Sequence, residues 1–280
     1  VSFDPLAILK DSGGKDDSEI SILNIAMAFS ALSHEGINAD RYFNHVSKMA
    51  ADAGARYKAL TEAGADDDAG TRLAALKHII ADREGYAGDG ERYGDLQNAD
   101  LMRVIDRRKG MPITLCILYI HVARMNGWMA EGLNFPGHFL ARIEHDGARL
   151  IFDPFAGCEV LEAPALRQLI KKVRGPNAEL LADYYKPCTN RETLLRLQNN
   201  VKLRLIEAED YAAALQSVEW MRMMAPMDYR LLLDAGVLYA KTGQSAQAAE
   251  SLEKYIMLTP SARDRHDAEL MLREIKDSVT

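Results

Sequence analysis

Two side chains near the middle of this 280-residue chain are spaced to share a proton, His138 and Asp153. The segment between them is centred on Asp146-Gly147, the residue pair that favours a two-residue hairpin turn. With that turn, His145 pairs with Ala148 and Leu140 lies opposite Asp153. His138 is then diagonal to Asp153 on the same face, because side chains alternate with a period of two. An imidazole held by a carboxylate is an oriented base, the arrangement that serves a thiol in Cys-His-Asp sites. Such a site places its thiol at a helix N-terminus, where the dipole and free N–H groups favour the thiolate. A helix start is present at Met111-Pro112-Ile113, with Pro in the first turn, but no cysteine stands there.

Other residues could take the nucleophile's place. Cys116 follows Pro112 by four residues, on the same helix face and about 6 Å deeper along the axis. It reads either as a relocated nucleophile or as a small buried hydrophobe, the usual state of a free cysteine. Thr114 reads as a hydroxyl that bonds local backbone, with attack on a carbonyl as the alternative. Cys158 is expected at a loop or strand edge, and Cys188 in an interdomain linker. Arg107-Arg108-Lys109 is either a solvated turn or an anion clamp beside the helix start. His121 reads as a packing or surface residue. The other histidines (His34, His45, His78, His145 and His266) lack the partner spacing of a metal site, so no metal and no cofactor is expected. The glycines of 85–94 do not open a helix after a strand, so that stretch reads as a surface loop and not a phosphate cradle.

The surrounding elements must position this set. Before residue 100 the chain is Ala-rich and reads as helices at 18–32, after Asp40 and after Thr71, with a loop at 63–70. The helix from Met111 ends at Asn126-Gly127. Strands are expected at 128–133 and 138–144, with a return strand at 148–152 and a short helix at 164–173. After Tyr185-Lys186-Pro187 strand signals stop. Residues then recur at a spacing of 34: Ala214 with Ala248, Val218 with Leu252, Met221 with Tyr255 and Pro226 with Pro260. The second copy carries Gly236 and Ala248 where two antiparallel helices must approach, the pattern of a tetratricopeptide repeat. The first copy is degenerate, with Val201 and Lys202 in place of Ala235 and Gly236, and 264–275 reads as a capping helix.

The run Arg107 to Leu115, together with Asn98, Tyr119, Ala123-Arg124, Gly127, Asn134 to Leu140 and Asp153-Pro154-Phe155, resembles the bacterial SirB-type transglutaminase-like family. That family joins a transglutaminase-like domain to tetratricopeptide repeats, in the order seen here. The resemblance implies an α+β papain-like domain, helices around a small antiparallel sheet, over 1–187. An all-α repeat domain of about two repeats plus a cap follows over 188–280. It also implies that His138 and Asp153 hold the positions of the catalytic His and Asp. Counting back from Ala123-Arg124-Met125-Asn126-Gly127 by the superfamily's spacing places Pro112 at the nucleophile position. Pro has no nucleophilic side chain, so the acyl-thioester route fails at its first step. Asn98, Arg107, Arg108, Pro112, Thr114 and Asn134 are expected to line or rim the cleft.

Composition narrows the function classes. Lys and Arg total 34 against 41 Asp and Glu, a net charge of −7, which disfavours nucleic-acid and anionic-membrane partners. Three cysteines make no disulfide framework and favour a reducing compartment, the cytoplasm. No apolar run approaches membrane length, and the start Val-Ser-Phe-Asp-Pro lacks a signal-peptide pattern, although the absent initiator Met leaves a removed leader open. The expectation is a noncatalytic pseudoenzyme that binds a peptide or amide ligand in its cleft and a protein partner through its repeats. The alternative is a hydrolase or acyltransferase that uses Cys116, or water activated by His138 and Asp153.

Overall fold

The computed structural model describes residues 3–34 and 36–277. The chain divides into two compact units, one of residues 1–5 and 20–194, the other of 6–19 and 195–280. The fold is α+β followed by all-α repeats.

Ahead of the first unit's main body comes helix α1 (Pro5–Ser12), most of which belongs to the second unit. The first unit continues with α2 (Ile22–Leu32), α3 (Asp40–Glu62) and α4 (Ala69–Lys77), the last prolonged by a π-helical turn at His78–Arg83. Ser21 and Asp68 cap α2 and α4 by accepting the free N–H groups of Asn24 and Thr71. After the two-residue strand β1 (Ala87–Gly88) come α5 (Leu101–Arg107), β2 (Lys109–Gly110) and α6 (Pro112–Met125). Strands β3 (Met129–Leu133), β4 (Leu140–His145), β5 (Ala148–Asp153) and β6 (Glu159–Val160) are followed by α7 (Ala163–Arg174) and β7 (Pro187–Cys188). The five-stranded antiparallel sheet runs β6-β5-β4-β3-β7, and β1 pairs in parallel with β2 outside it.

Helix α6 is the centre of this unit. Its residues Pro112 to Ile120 are all buried, because it packs against β3 and β4 as well as α2 and α3. Pro at N1 costs nothing there, since the first N–H groups of a helix lack intrahelical partners. At the other end Gly127 takes the left-handed conformation, φ 71°. The hairpin follows its turn residues: Asp146 and Gly147 both have positive φ, 47° and 80°, and His145 pairs with Ala148.

Three placements differ from the sequence expectation. The sheet does not stop before Pro187: that residue and Cys188 pair with Leu133 and Gly132, so Cys188 is a strand residue and not part of a linker. The stretch 85–94 is not wholly a surface loop, since Ala87–Gly88 pairs with Lys109–Gly110 and Asp89 is 2% exposed. Residues 6–19 belong with the repeats and not with the domain that follows them in sequence. Gly13 explains the fit, because a Cβ there would lie 2.4 Å from the Met223 carbonyl oxygen and meet Pro226.

The chain crosses to the second unit along α8 (Asn190–Glu207). The repeats are then α9 (Tyr211–Met224), α10 (Arg230–Lys241) and α11 (Ser245–Leu258), closed by α12 (Ala262–Asp277). The residues that recur at 34 positions, Ala214 and Ala248, Val218 and Leu252, Met221 and Tyr255, are all buried. A Cβ at Gly236 would lie 2.8 Å from Leu252 Cγ, which is why a small residue is needed where α10 crosses α11. In the degenerate copy, Lys202 at the equivalent position sends its ammonium to Asp234 at 2.6 Å. No helix among the described residues is long and apolar enough to cross a membrane.

Candidate functional site

His138 does not begin a strand. It closes the turn Phe135-Pro136-Gly137-His138, in which its N–H donates to Phe135 O at 3.1 Å and Gly137 has φ 69°. Pro in the second position and a positive-φ Gly in the third make this a type II turn, which halts the pairing until Leu140. The hairpin register pairs Ala141 with Phe152 and so brings the end of β5 back to this turn. The result is a hydrogen bond of 2.8 Å between His138 Nε2 and Asp153 Oδ2, with side chains 13% and 9% exposed. A carboxylate oxygen accepts, so Nε2 is the donor and the neutral ring carries its lone pair on Nδ1.

Asp153 is itself fixed. Its Oδ1 accepts the Phe155 N–H at 2.9 Å, and its carbonyl accepts the Cys158 N–H at 2.8 Å. The Phe155 ring stands edge-on to His138 with centroids 6.1 Å apart, and Tyr93 also meets Phe155 edge-on, at 5.8 Å. Gly88 backs this ring so closely that a Cβ would lie 2.5 Å from Phe155 Cδ2.

The start of α6 is tied down by Asn98. Its carbonyl accepts both the Met111 N–H at 3.1 Å and the Thr114 hydroxyl at 2.9 Å. Thr114 thus bonds backbone as expected, but that of Asn98, sixteen residues away, and not the local turn; it is fully buried. The Asn98 amide donates to Arg92 O at 2.7 Å, and its oxygen accepts from Arg107 Nη1 at 3.0 Å. Arg107 also donates to Asp89 Oδ2 at 2.7 Å, and Arg108 is bonded to Glu84 O and the Tyr86 hydroxyl. Asn98 and the two arginines, expected at the cleft as ligand contacts, are thus engaged in holding the loop ahead of α6. Asn134 is exposed and Pro112 buried.

The cysteines divide by position. Cys116 is 0% exposed and its thiol faces Phe139 O at 3.6 Å. Cys158 is buried with φ 66°, and burial pushes its thiol pKa up to about 12, so it is not a thiolate at neutral pH. The histidines lie apart: His34 is bonded to Asp100, His45 to the Tyr86 hydroxyl, and His145 lies 3.3 Å from Asp67. Asp89 and Gly88 escaped sequence reading. The signal available was the unexplained charge of Arg107, which needs a carboxylate if it is to be buried.

Residues 40–199 match the transglutaminase-like superfamily, and 201–273 match a tetratricopeptide repeat family. The chain belongs to the SirB-type transglutaminase-like family. It is 31% identical over 196 residues to a UPF0162 protein of Xylella fastidiosa, covering 69% of this chain and 70% of that protein. Protein SirB1 of Salmonella typhimurium is 26% identical over 161 residues, 57% of this chain and 60% of its own length. A shorter stretch of 70 residues, a quarter of this chain and 11% of the relative, is 37% identical to F-box only protein 21 of Mus musculus. No solved structure matches significantly.

Proposed function

We propose that this protein acts by binding, with a transglutaminase-like cleft that no longer forms acyl-thioesters and a repeat domain that engages a protein partner. The observation that supports this most directly lies at the start of α6. Pro112 occupies the position that family resemblance assigns to the nucleophile, and the nearest thiol along the helix, Cys116, is fully buried against Phe139 O. A nucleophile needs both access to substrate and a base in reach, and burial denies Cys116 the first. Tetratricopeptide repeats are protein-interaction modules, and this one follows the domain directly.

The test is covalent. The full chain is incubated with a chloroacetamide analogue of glutamine and its intact mass measured. No stoichiometric adduct is expected on the folded protein, whereas full labelling that disappears in His138→Ala would overturn the binding reading. A second reading has one observation in its favour, the intact 2.8 Å pair of His138 and Asp153. An imidazole oriented by a carboxylate is a general base, and in this reading it takes a proton from the water that attacks an amide directly. Turnover of peptide amides that survives Cys116→Ser and is lost in His138→Ala would establish that alternative.

A further inference from the structure

The twelve residues of α7 carry Arg167, Lys171, Lys172 and Arg174 and no acidic residue, in a chain whose net charge is −7. Arg167, Lys171 and Arg174 fall at i, i+4 and i+7, one stripe along the helix surface. All four cations are exposed, and among the described residues none takes part in an ion pair. Complementing the helix dipole accounts for cations in the last turn, but not for Arg167, the fifth residue of the twelve.

The basic end of α7 abuts the turn that carries His138. Gly137 packs on Val173 so tightly that a Cβ at that glycine would lie 2.6 Å from Val173 Cγ1. We propose that the Arg167–Lys171–Arg174 stripe docks an extended acidic segment of a partner protein beside the turn that carries His138. The inference goes beyond the binding reading above and does not depend on whether the cleft is catalytic.

Three observations select this occupant. A lipid surface would need a broad apolar face beside the cations, but Leu166 and Ile170 are buried in a cluster with Leu133, Phe135 and Leu140, which leaves Val173 as the large apolar side chain this helix exposes. A nucleic acid draws its affinity from neutralising many phosphates along its backbone, more than a stripe of three cations offers. Long Arg and Lys side chains span the difference between their own spacing and that of carboxylates on an extended strand. The three cations rise about 6 and about 4.5 Å along the helix axis, while alternate side chains on one face of a strand recur about every 6.7 Å.

The probe is a fluorescein-labelled twelve-residue peptide of alternating Glu and Ala, titrated with the full chain and read by anisotropy at low and moderate salt. Binding that weakens with salt is expected. It should fall roughly tenfold in the Arg167→Gln, Lys171→Gln, Arg174→Gln triple variant. A control triple of the same charge change, Arg56→Gln with Arg103→Gln and Arg263→Gln, replaces exposed arginines elsewhere and should bind as the parent does. Equal losses in both triples, no binding at low salt, or tighter binding to phosphatidylglycerol vesicles or a single-stranded oligonucleotide than to the peptide would each overturn the proposal. Thermal melts confirm that the variants, all at exposed positions, remain folded.

Discussion

Gly88→Ala is the sharpest perturbation available at the candidate site. The added methyl would lie 2.5 Å from Phe155 Cδ2 and 2.6 Å from both Cγ and the Phe155 carbonyl oxygen. One of these atoms is backbone, so a rotamer change of the phenyl ring does not relieve the clash. Either β1 or the Phe155 segment must move. Overpacking of this kind costs about 1–3 kcal/mol, and a unit of this size loses roughly 2–4 °C of melting temperature per kcal/mol. The expected loss is therefore roughly 2–12 °C, short of unfolding a domain of ordinary stability. Gly90→Ala is the matched control, because a Cβ there meets nothing within 4 Å and its φ is not positive. It should be neutral or slightly stabilising, by up to about 1 kcal/mol. Scanning calorimetry measures both. Because Phe155 meets His138 edge-on, the His138 ring resonances should shift in Gly88→Ala and stay put in Gly90→Ala. If Gly88→Ala melts with the parent and leaves those resonances unmoved, the packing of Phe155 on β1 does not position the imidazole.

Arg107→Met leaves the carboxylate of Asp89 buried without its cation, and should cost about 3 kcal/mol in urea unfolding; adding Asp89→Leu should recover part of the loss. Burial and the neighbouring Arg124 lower the His121 pKa to about 4, so the unfolded chain binds this proton more readily than the folded one. Stability from His121 is then fully present above about pH 6.5 and lost as pH falls toward 4, and His121→Gln should flatten that stretch of the stability profile. Cys158, raised to about 12, should resist Ellman's reagent at pH 8 in the folded protein and react at once in denaturant. Gly236→Leu should unfold the repeat unit's packing of α10 on α11, seen as lost helicity, since the Cβ alone would lie 2.8 Å from Leu252.

What could be read from the sequence was local or periodic. Asp146-Gly147 sets the hairpin register, and that register together with the Pro136-Gly137 turn, which keeps His138 out of the strand itself, brings His138 to Asp153. Pro112 marked the start of α6, and the 34-residue spacing marked the repeats. What could not be read depends on partners distant in the chain. Pro187–Cys188 is a strand because β3 offers it an edge, and two residues carry no periodicity of their own. Asp89 lies eighteen residues before Arg107, in a glycine-rich stretch whose composition resembles a solvated loop. The place of residues 6–19 with the repeats rests on the fit of Gly13 to a carbonyl more than two hundred residues away.

The pairing of His138 with Asp153 does not by itself argue for catalysis. Asp153 accepts two hydrogen bonds through its carboxylate, one from His138 and one from the Phe155 backbone, and its carbonyl receives the Cys158 N–H. At 7% exposure, a residue so placed cannot be removed without stranding donors, at about 1–3 kcal/mol for each group left unsatisfied. The pair is therefore held by folding whether or not a proton ever moves along it. Pro112 carries the opposite weight, because a helix start accepts many residues at its first position and Pro is only one of the favourable choices. The fold by itself accounts for the dyad, so under the binding proposal the residue that bears on chemistry is Pro112, which stands where the family resemblance would put the nucleophile.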